Sequence, residues 1–383
     1  MGGATARSYL LAAAAAVGAG LITARAAVAQ DPAAVAKPWY EEIAVNGFAS
    51  TSYSYNFNRP TSRLNTYRVF DFDDNTFKLD VAELVVQHNA VKPRESGFRV
   101  DLEMGGSVPR VSAASGLFRD PTTGEAQDVD LQQAFGTYVV PMGSGLRVDA
   151  GKFITHFGAE VIEGYDGWND NATRSLLFGY AIPFTHTGVR AAYTFSPRLS
   201  AVAMVVNGCD VATDNNSAKS VGVQLALTPV PAFTLYLNGM VGAERPGDDR
   251  HLRRLGDLVA TLKASPRVTL GINADFGQEE GLLSPIRSRP AQWSGVAGYA
   301  RWQATERFAL AARGEVFDDL DGVRTGLSQT LSEGTLTPEL RVTPRFILRA
   351  DLRADRSSRK AFPSDSGARD EQVTVLMNAS VVF

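Results

Sequence analysis

The stretch VTVLMNASVVF at residues 373–383 decides the fold class of this chain. Every second residue of the stretch is apolar, and the chain then ends on an aromatic residue. Because successive side chains of a β-strand point to opposite faces, one face of this strand would contact lipid. The other face would carry Thr374, Asn378 and Ser380. The pattern therefore predicts a strand of a transmembrane β-barrel.

The amino-terminal segment indicates export from the cytoplasm. Arg7 precedes an apolar stretch at residues 10–22, and Ala27-Val28-Ala29 forms a small-x-small cleavage site before Gln30. An uncleaved membrane anchor is the alternative, but the apolar stretch is short and rich in alanine. We predict a signal peptide at residues 1–29, a periplasmic segment at 30–42 and an outer-membrane β-barrel at 43–383.

The rest of the sequence contains sixteen candidate strands. Most of them are close to the about 9 to 11 residues that a tilted strand needs to cross a bilayer. We place them at about residues 43–57, 76–88, 97–105, 129–141, 146–153, 179–195, 199–207, 220–228, 233–242, 255–264, 268–277, 293–303, 307–317, 329–342, 345–356 and 371–383. The sequences around Leu79 to Leu84, Pro183 and Pro338 fit this assignment poorly.

The gaps between these strands alternate between long and short. Short gaps, such as 196–198 and 265–267, alternate along the chain with long polar gaps, such as 106–128 and 208–219. Outer-membrane barrels have short periplasmic turns and longer outer loops, whereas a soluble β-sandwich has no reason to alternate so regularly. The alternation predicts an antiparallel barrel of about 16 strands with both ends on the periplasmic side.

Charged residues alternate with apolar residues along several strands. A charge on the lipid face would cost about 2 to 4 kcal/mol near the bilayer midplane, so these charges are expected to face inward. An interior with this many charges would have to contain water, because buried unpaired charge is expensive. The predicted pore-wall residues are Arg99, Asp101, Glu103, Arg313, Glu315, Arg349, Asp351 and Arg353.

The third long gap, residues 154–178, is the candidate constriction loop. By analogy with general porins, in which the third outer loop folds into the lumen, this segment is expected to enter the barrel. The alternative is an ordinary outer loop that packs on its own Tyr165 and Trp168. Four carboxylates against one arginine would favour cations locally. The candidate residues are His156, Glu160, Glu163, Asp166, Asp170 and Arg174.

Composition and residue spacing give little support for catalysis or cofactors. The 38 basic and 41 acidic residues leave a net charge of -3, which does not suggest nucleic acid as a partner. Cys209 is a single cysteine, and the four histidines show no metal-ligand spacing. We therefore predict no catalytic residues, no metal and no cofactor. A barrel enzyme of the lipase or protease type and a secreted soluble β-protein are the rival hypotheses.

Several motifs resemble the OmpL-like β-barrel porin family of the bacterial outer membrane. The resemblance runs from about Trp39 to Phe383 and is most specific at residues 151–188. The motifs include Gly151-Lys152-Phe153, Gly158-Ala159-Glu160, Thr173 to Gly179, Pro183 to Gly188, Asn207-Gly208 and Arg313-Gly314-Glu315. The resemblance implies a barrel but gives no agreed solute. Because 16-stranded porins are usually trimers, it also implies a possible homotrimer. Phe383 resembles the signal that the barrel assembly machinery recognises.

These observations predict an outer-membrane porin, not an enzyme. It would form a water-filled channel for passive diffusion of small hydrophilic solutes and ions, in contact with outer-membrane lipid. Flux through such a pore needs no cofactor, because pore width and the lining charges set selectivity.

Overall fold

The computed structural model describes residues 38–115, 117–120, 122–283 and 289–383. The predicted signal peptide and residues 30–37 lie outside these ranges. In the described part of the chain, no helix is both long enough and apolar enough to cross a membrane.

Sixteen strands form one closed antiparallel barrel, in which β1 pairs with β2 on one side and with β18 on the other. Two further short strands, β16 and β17, pair only with each other. The strands are β1 (Ala44–Asn56), β2 (Thr76–His88), β3 (Ser96–Met104), β4 (Val129–Val140), β5 (Leu146–Ile154), β6 (Thr185–Ser196), β7 (Leu199–Val206), β8 (Ser220–Val230), β9 (Phe233–Ala243), β10 (Leu252–Ser265), β11 (Val268–Glu279), β12 (Ala291–Gln303), β13 (Phe308–Asp319), β14 (Gln329–Thr343), β15 (Phe346–Ser357), β16 (Phe362–Ser364), β17 (Gly367–Arg369) and β18 (Glu371–Val382). The predicted fold class is confirmed.

The connections alternate in length as the sequence predicts. At one end, here called the short-turn end, neighbouring strands are joined by segments such as 197–198 and 266–267. At the other, the long-loop end, the connections include 57–75, 105–128 and 155–184. The connection 105–128 contains the two-turn helix α1 (Val108–Ser115). An antiparallel barrel places all connections of one kind at the same end, so the long segments converge over or into one mouth.

The two faces of the strands differ as expected for a membrane wall. In β18, Met377 is 60% exposed on the outer face, whereas its neighbour Asn378 is buried on the inner face. Phe383 lies at the short-turn end, where its N–H donates to Gly47 O at 3.0 Å and its carbonyl accepts from Gly47 N at 2.8 Å. The role of Phe383 as an assembly signal stays a prediction.

The three irregular regions have separate physical causes. In β2, the pairing register with β1 shifts between Ser50 and Thr51, and this bulge lets Leu79 and Leu84 both face outward. The predicted start of the sixth strand at residue 179 is wrong, because β6 begins at Thr185 after Pro183. Pro338 remains within β14 on the exposed outer face, where a residue without an N–H is tolerated.

Candidate functional site

The connection between β5 and β6, residues 155–184, enters the barrel and is called the inserted loop below. Its two ends meet where Thr155 N donates to Phe184 O at 2.9 Å. Between these ends, the backbone of Ala159 bonds to Asn273 of β11 and that of Tyr165 bonds to Glu83 of β2. Asn273 and Glu83 are buried side chains on distant strands. The inserted loop therefore crosses the lumen.

Apolar packing anchors the inserted loop against one side of the wall. Leu176 and Leu177 are at most 1% exposed, and a π-helical turn spans Leu177–Ala181. Trp293 of β12 donates its indole N–H to Ala181 O at 3.1 Å. Burying a large apolar side chain contributes about 1.5 to 3 kcal/mol. Burial of Leu176 and Leu177 therefore favours the inserted position of the loop. The wall residues in this core are Phe135, Phe153, Met204, Val206, Met240, Leu255, Trp293, Ala297, Phe317 and Leu331.

This apolar core changes the expected picture of the interior. The charges of the strands predict a lumen filled with water, yet the strands from β4 to β14 contribute a packed core in the part that contacts the inserted loop. The sequence signal was present in inward-facing residues such as Phe153 and Phe317, which alternate with outward-facing residues. A space for water or solute is therefore confined to the rest of the cross-section.

The predicted loop carboxylates meet arginines of the wall. The Glu160 carboxylate accepts from Arg313 at 2.8 Å, and Glu163 accepts from Arg349 at 2.6 Å. Two further pairs join the inserted loop to β3 and β12. They are Asp166 with Arg99 at 2.5 Å and Asp170 with Arg301 at 2.8 Å. The structure thus brings all four carboxylates into the lumen but gives each a cationic partner.

Arg313 is the centre of the densest ion-pair network. Its side chain is fully buried and donates from Nε to Glu333 at 2.6 Å, besides its bond to Glu160. It also donates to the carbonyl of Thr173 at 2.8 Å. Arg353 lies beside it and bonds to Asp355 at 2.8 Å. These wall arginines hold the inserted loop instead of facing open water.

Two predicted wall acids bind the backbone of the inserted loop. Glu315 accepts from Leu176 N at 2.5 Å and Leu177 N at 3.1 Å, at the start of the π-helical turn. Carboxylates are favourable at this position because unpaired N–H groups point out of the first turn. Asp351 accepts from Thr173 N at 2.7 Å and from its hydroxyl at 2.8 Å. Both acids position the loop.

The acidic wall of β2 to β4 is different. Glu83, Glu103 and Asp130 lie directly opposite one another in the pairing register and are all buried. Asp130 pairs with Lys152 at 3.2 Å, and Glu103 accepts from the amide of Gln132 at 2.5 Å. Like charges at directly opposite positions are destabilising. The predicted Asp101 pairs with Arg99 at 2.8 Å on the same wall.

His156 and Arg174 occupy different surroundings. His156 packs on Phe157 with ring centroids 5.0 Å apart, and burial lowers its pKa to about 3, so it is neutral and lies apart from the ion pairs. Arg174 bonds to Glu163 at 3.3 Å and to Ala172 O at 2.7 Å, with its guanidinium 5.1 Å from the ring centroid of Phe70.

A cavity lies beside the inserted loop, on the side away from the apolar core, and is called the side cavity. The volume within it that is open to a water-sized molecule is about 40 Å³. Strands β1, β2, β3 and β18 form its wall, and the inserted loop, the 57–75 connection and α1 close it. Its lining residues are Ser50, Ser52, Phe70, Asp71, Asp80, Val81, Glu103, Ser107, Val108, Val111, Ile162, Glu163, Ala172, Arg174, Leu376 and Asn378.

Sequence reasoning missed the second segment that turns inward. Arg68 of the 57–75 connection is buried and forms ion pairs with Asp71 at 3.1 Å and with Asp355 of β15. Glu83, Asp130, Arg301 and Glu333 were also missed as lumen charges. No local pattern signals the contact between Arg68 and Asp355, because the two residues are 287 positions apart. Their pairing depends on closure of the barrel.

We expect the hold on the inserted loop to weaken in acid. Burial would raise the pKa of Glu163, but Arg174 and Arg349 outweigh it and lower the pKa to about 2. Because this lies below the ordinary value of 4.5, the stabilisation is complete above pH 4.5 and is lost as the pH falls toward about 2. Pepsin cleavage of the inserted loop should therefore differ between the parent and Glu163→Gln most at the upper end of this range. A difference that stays constant with pH would contradict the role of Glu163.

Among the described residues, no group of three or more His, Cys, Asp or Glu side chains is arranged to hold a metal ion. The buried Cys209 lies against Met240, with their sulfur atoms 3.8 Å apart.

The sequence matches one family model, and the fold matches solved membrane channels. The family is described as "Putative beta-barrel porin-2, OmpL-like", and its model covers residues 42–383. A comparison with the curated proteins finds no match.

Three solved structures illustrate the similarity of fold. The outer membrane channel DcaP of Acinetobacter baumannii has a TM-score of 0.59 at 9% identity, covering 89% of this chain and 97% of that one. An anion-selective porin from Comamonas acidovorans has a TM-score of 0.60 at 10% identity, with coverages of 89% and 99%. The trimer form of OmpT, an outer membrane protein of Vibrio cholerae, has a TM-score of 0.56 at 9% identity, with coverages of 89% and 99%.

Proposed function

The chain belongs to this OmpL-like family of β-barrel porins of the outer membrane, and from that premise we propose that small hydrophilic solutes and ions diffuse passively along the side cavity. A barrel of this strand number encloses an aqueous channel when its interior is not filled. Here the apolar core occupies the region of contact between the inserted loop and β4 to β14. The side cavity lies along β1 to β3 and β18, and we propose that the route follows it.

The observation that carries this proposal is the one-sided placement of the inserted loop. Its carboxylates pair with Arg313 and Arg349, and its apolar residues pack on Trp293 and Phe317. Ion pairs and apolar packing together hold the inserted loop in place, and a loop held in this position constricts the barrel. The predicted constriction residues would act in this way, and outer-membrane lipid would surround the exposed apolar face.

We propose that the protein is not an enzyme and that no metal or cofactor takes part. The loop carboxylates Glu160 and Glu163 are engaged in ion pairs with wall arginines, His186 is buried and His156 is half-buried. The barrel lipase or protease remains the rival for a test. The secreted soluble alternative is wrong, because the chain is an outer-membrane barrel.

Single-channel recording in a planar bilayer tests the proposal. We expect discrete current steps that are small for a 16-stranded barrel, since the inserted loop leaves only part of the cross-section free. Assays for lipid and peptide hydrolysis on the same preparation serve as the control. Hydrolysis without current steps would favour the barrel enzyme. Absence of both hydrolysis and current steps would contradict a conducting state.

We also propose a homotrimer, supported by small residues on the outer face. Gly298, Gly314, Gly334 and Ala354 lie at paired positions across β12 to β15 and are exposed. A Cβ added at Gly334 would meet no described heavy atom within 4 Å, so packing within the barrel does not require glycine there. Glycine in a strand costs about 0.5 to 1 kcal/mol relative to alanine. A second copy lying close to this surface would explain the choice.

Gly334→Leu should therefore give a monomer while leaving the barrel folded. The added side chain would keep two copies apart but would face lipid in one copy. Light scattering in detergent measures the mass, and heat-modifiable migration on a gel reports the fold. Gly256→Leu, on the outer face of β10, is the matched control because a Cβ there also meets no described atom within 4 Å. Equal masses for the two variants would show that Gly334 does not lie in an interface between copies.

A further inference from the structure

The inner face of the barrel is open to solvent at the short-turn end. In β7, Val202 faces inward and is partly exposed, whereas Met204, two positions closer to the long-loop end, is 2% exposed. The same change occurs along β8 to β10, where the partly exposed inward residues are Ala226, Tyr236 and Thr261. Solvent therefore reaches the wall between the inserted loop and the short-turn end. We call this open region the short-turn vestibule.

Two arginines of neighbouring strands face this vestibule. Arg147 is the second residue of β5, at the short-turn end, and its side chain is 29% exposed. Arg190 of β6 pairs directly with Asp149 of β5, and its side chain is 21% exposed. The side chain of Arg313, by contrast, is fully buried. A solute in the vestibule can therefore reach the guanidinium groups of Arg147 and Arg190.

Both arginines bind the same carboxylate. The Nε of Arg147 donates to one oxygen of Asp149 at 2.9 Å, and the Nε of Arg190 donates to the other oxygen at 2.9 Å. Asp149 also accepts from the hydroxyl of Thr137 at 2.6 Å. Two positive charges and one negative charge thus leave a local excess of one positive charge, at a place that solvent reaches.

The two guanidinium groups keep hydrogen-bond donors for a solute. The Nη2 of Arg147 donates to the hydroxyl of Thr137 at 3.0 Å. Among the described residues, Nη1 of Arg147 and both terminal nitrogens of Arg190 have no hydrogen-bond partner, and none of these three nitrogens is closed off from solvent. The guanidinium of Arg190 lies over the ring of Phe153, 4.4 Å from its centroid. This stacking fixes the plane of the guanidinium and leaves the N–H groups at its edge free to donate.

Contacts with the inserted loop distinguish these two arginines from other arginines of the wall. Four wall arginines each pair with a carboxylate of the inserted loop, and they are Arg99, Arg301, Arg313 and Arg349. Among the described residues, Arg147 and Arg190 form no hydrogen bond or ion pair with that loop. Placement of the inserted loop therefore does not account for these two guanidinium groups.

We propose that Arg147 and Arg190 form a binding site for small oxyanions, of which inorganic phosphate is the simplest that carries two negative charges. One oxygen of the anion accepts from Arg147 and another accepts from the terminal nitrogens of Arg190, while Asp149 holds the two guanidinium groups side by side. Guanidinium groups bind phosphate and carboxylate oxygens in this way. The inference rests on the proposed conducting function, since it names a solute class for the short-turn mouth of the same channel.

Phosphate titration of the zero-current potential tests the site. The potential is recorded in a planar bilayer with a potassium chloride gradient, and phosphate is added to both sides at constant ionic strength. Bound phosphate replaces the local positive excess by negative charge, so the potential should shift toward cations and level off as the site fills. Glycerol 3-phosphate, in which an organic body carries the same group, should half-saturate at a similar concentration. A shift with glycerol 3-phosphate but none with phosphate would assign recognition to the organic body and overturn the proposal.

Variants separate this site from the general field of the channel. Arg147→Gln and Arg190→Gln should each raise the half-saturating phosphate concentration about tenfold or more, because each removes charged hydrogen bonds to the anion. Lys263→Gln is the matched control, since Lys263 is an exposed lysine at the short-turn end of β10, four strands further along the wall. It should change that concentration by less than about twofold, because salt screens charges this far apart. Equal increases in all three variants would show a general effect of charge and overturn the site.

Asp149→Asn should change the half-saturating concentration in the opposite direction. Its amide no longer competes with phosphate for the two arginines, so the concentration should fall, whereas an increase would contradict this competition and overturn the site. Heat-modifiable migration on a gel reports whether each variant folds. If an arginine-to-glutamine variant does not fold, Arg147→Lys or Arg190→Lys replaces it. Lysine retains the charge but lacks the planar fork of donors, so the concentration should still rise.

The outcomes distinguish this inference from the proposed function. Current steps in the parent without a saturating effect of phosphate would overturn the oxyanion site and leave the porin intact. Absence of current steps in the parent would contradict the proposed function itself. Equilibrium dialysis of radiolabelled phosphate against the parent and Arg147→Gln in detergent then still decides the question, because equal binding by the two proteins would exclude the site.

Discussion

Replacement of Glu160, Glu163, Asp166 and Asp170 by the corresponding amides is expected to shift the selectivity of the channel strongly toward anions. Each of these carboxylates pairs with a wall arginine, at distances between 2.5 and 2.8 Å. The fourfold variant keeps all the arginines and removes one carboxylate partner from each of four of them. The net charge in or beside the conducting route then becomes more positive by the four lost carboxylates, and a ring of charge sets selectivity.

The zero-current potential in a salt gradient measures this shift. It should decrease as the salt concentration rises, since the Debye length falls from about 10 Å at 0.1 M to about 3 Å at 1 M. A matched control replaces four exposed acids at the long-loop end, which are Glu125, Asp249, Asp370 and the first residue of β18, Glu371. An unchanged potential in the lumen variant, or an equal shift in the control, would place the inserted loop outside the conducting route.

The fold could be predicted because its main signals are local. The alternation in residues 373–383 has the two-residue period of a strand, and Met377 and Asn378 indeed face opposite sides. The lengths of the gaps gave the order of turns and loops in the same way. The bulge at Asp80 has no comparable local signal, since one extra residue is defined only by the pairing of β1 with β2.

The lumen could be predicted in part. The parity of Arg313 and Arg349 predicts that they face inward, and each is 3% exposed. The partners of these arginines lie 153 and 186 positions away, so the ion pairs could not be assigned from the sequence. The prediction of the inner face considered only its charged residues. It therefore missed the apolar core, to which Phe153 and Phe317 of the same face belong. The inner wall has a charged part and an apolar part, and the inserted loop contacts both.

Arg313→Leu is expected to produce the largest loss of stability of any single lumen substitution proposed here. It leaves Glu160 buried without its guanidinium partner and Glu333 with Arg353 alone, at 3.5 Å, and removal of one partner of a buried pair costs about 3 to 5 kcal/mol. Arg254→Leu breaks an exposed pair instead and should cost at most about 1 kcal/mol. Urea unfolding of the two variants in detergent measures the difference.

The cost of Arg313→Leu should fall when the stranded carboxylates are neutralised. In the triple variant Arg313→Leu, Glu160→Gln and Glu333→Gln, no unpaired charge of this set remains, so the free energy of unfolding should recover by part of the loss. Trypsin cleavage after Arg174 reports whether the inserted loop has left the wall, because that bond is buried in the parent. If the triple variant were as unstable as the single one, lost packing of the Arg313 side chain would account for the effect. The carboxylates would then hold the inserted loop without depending on this arginine.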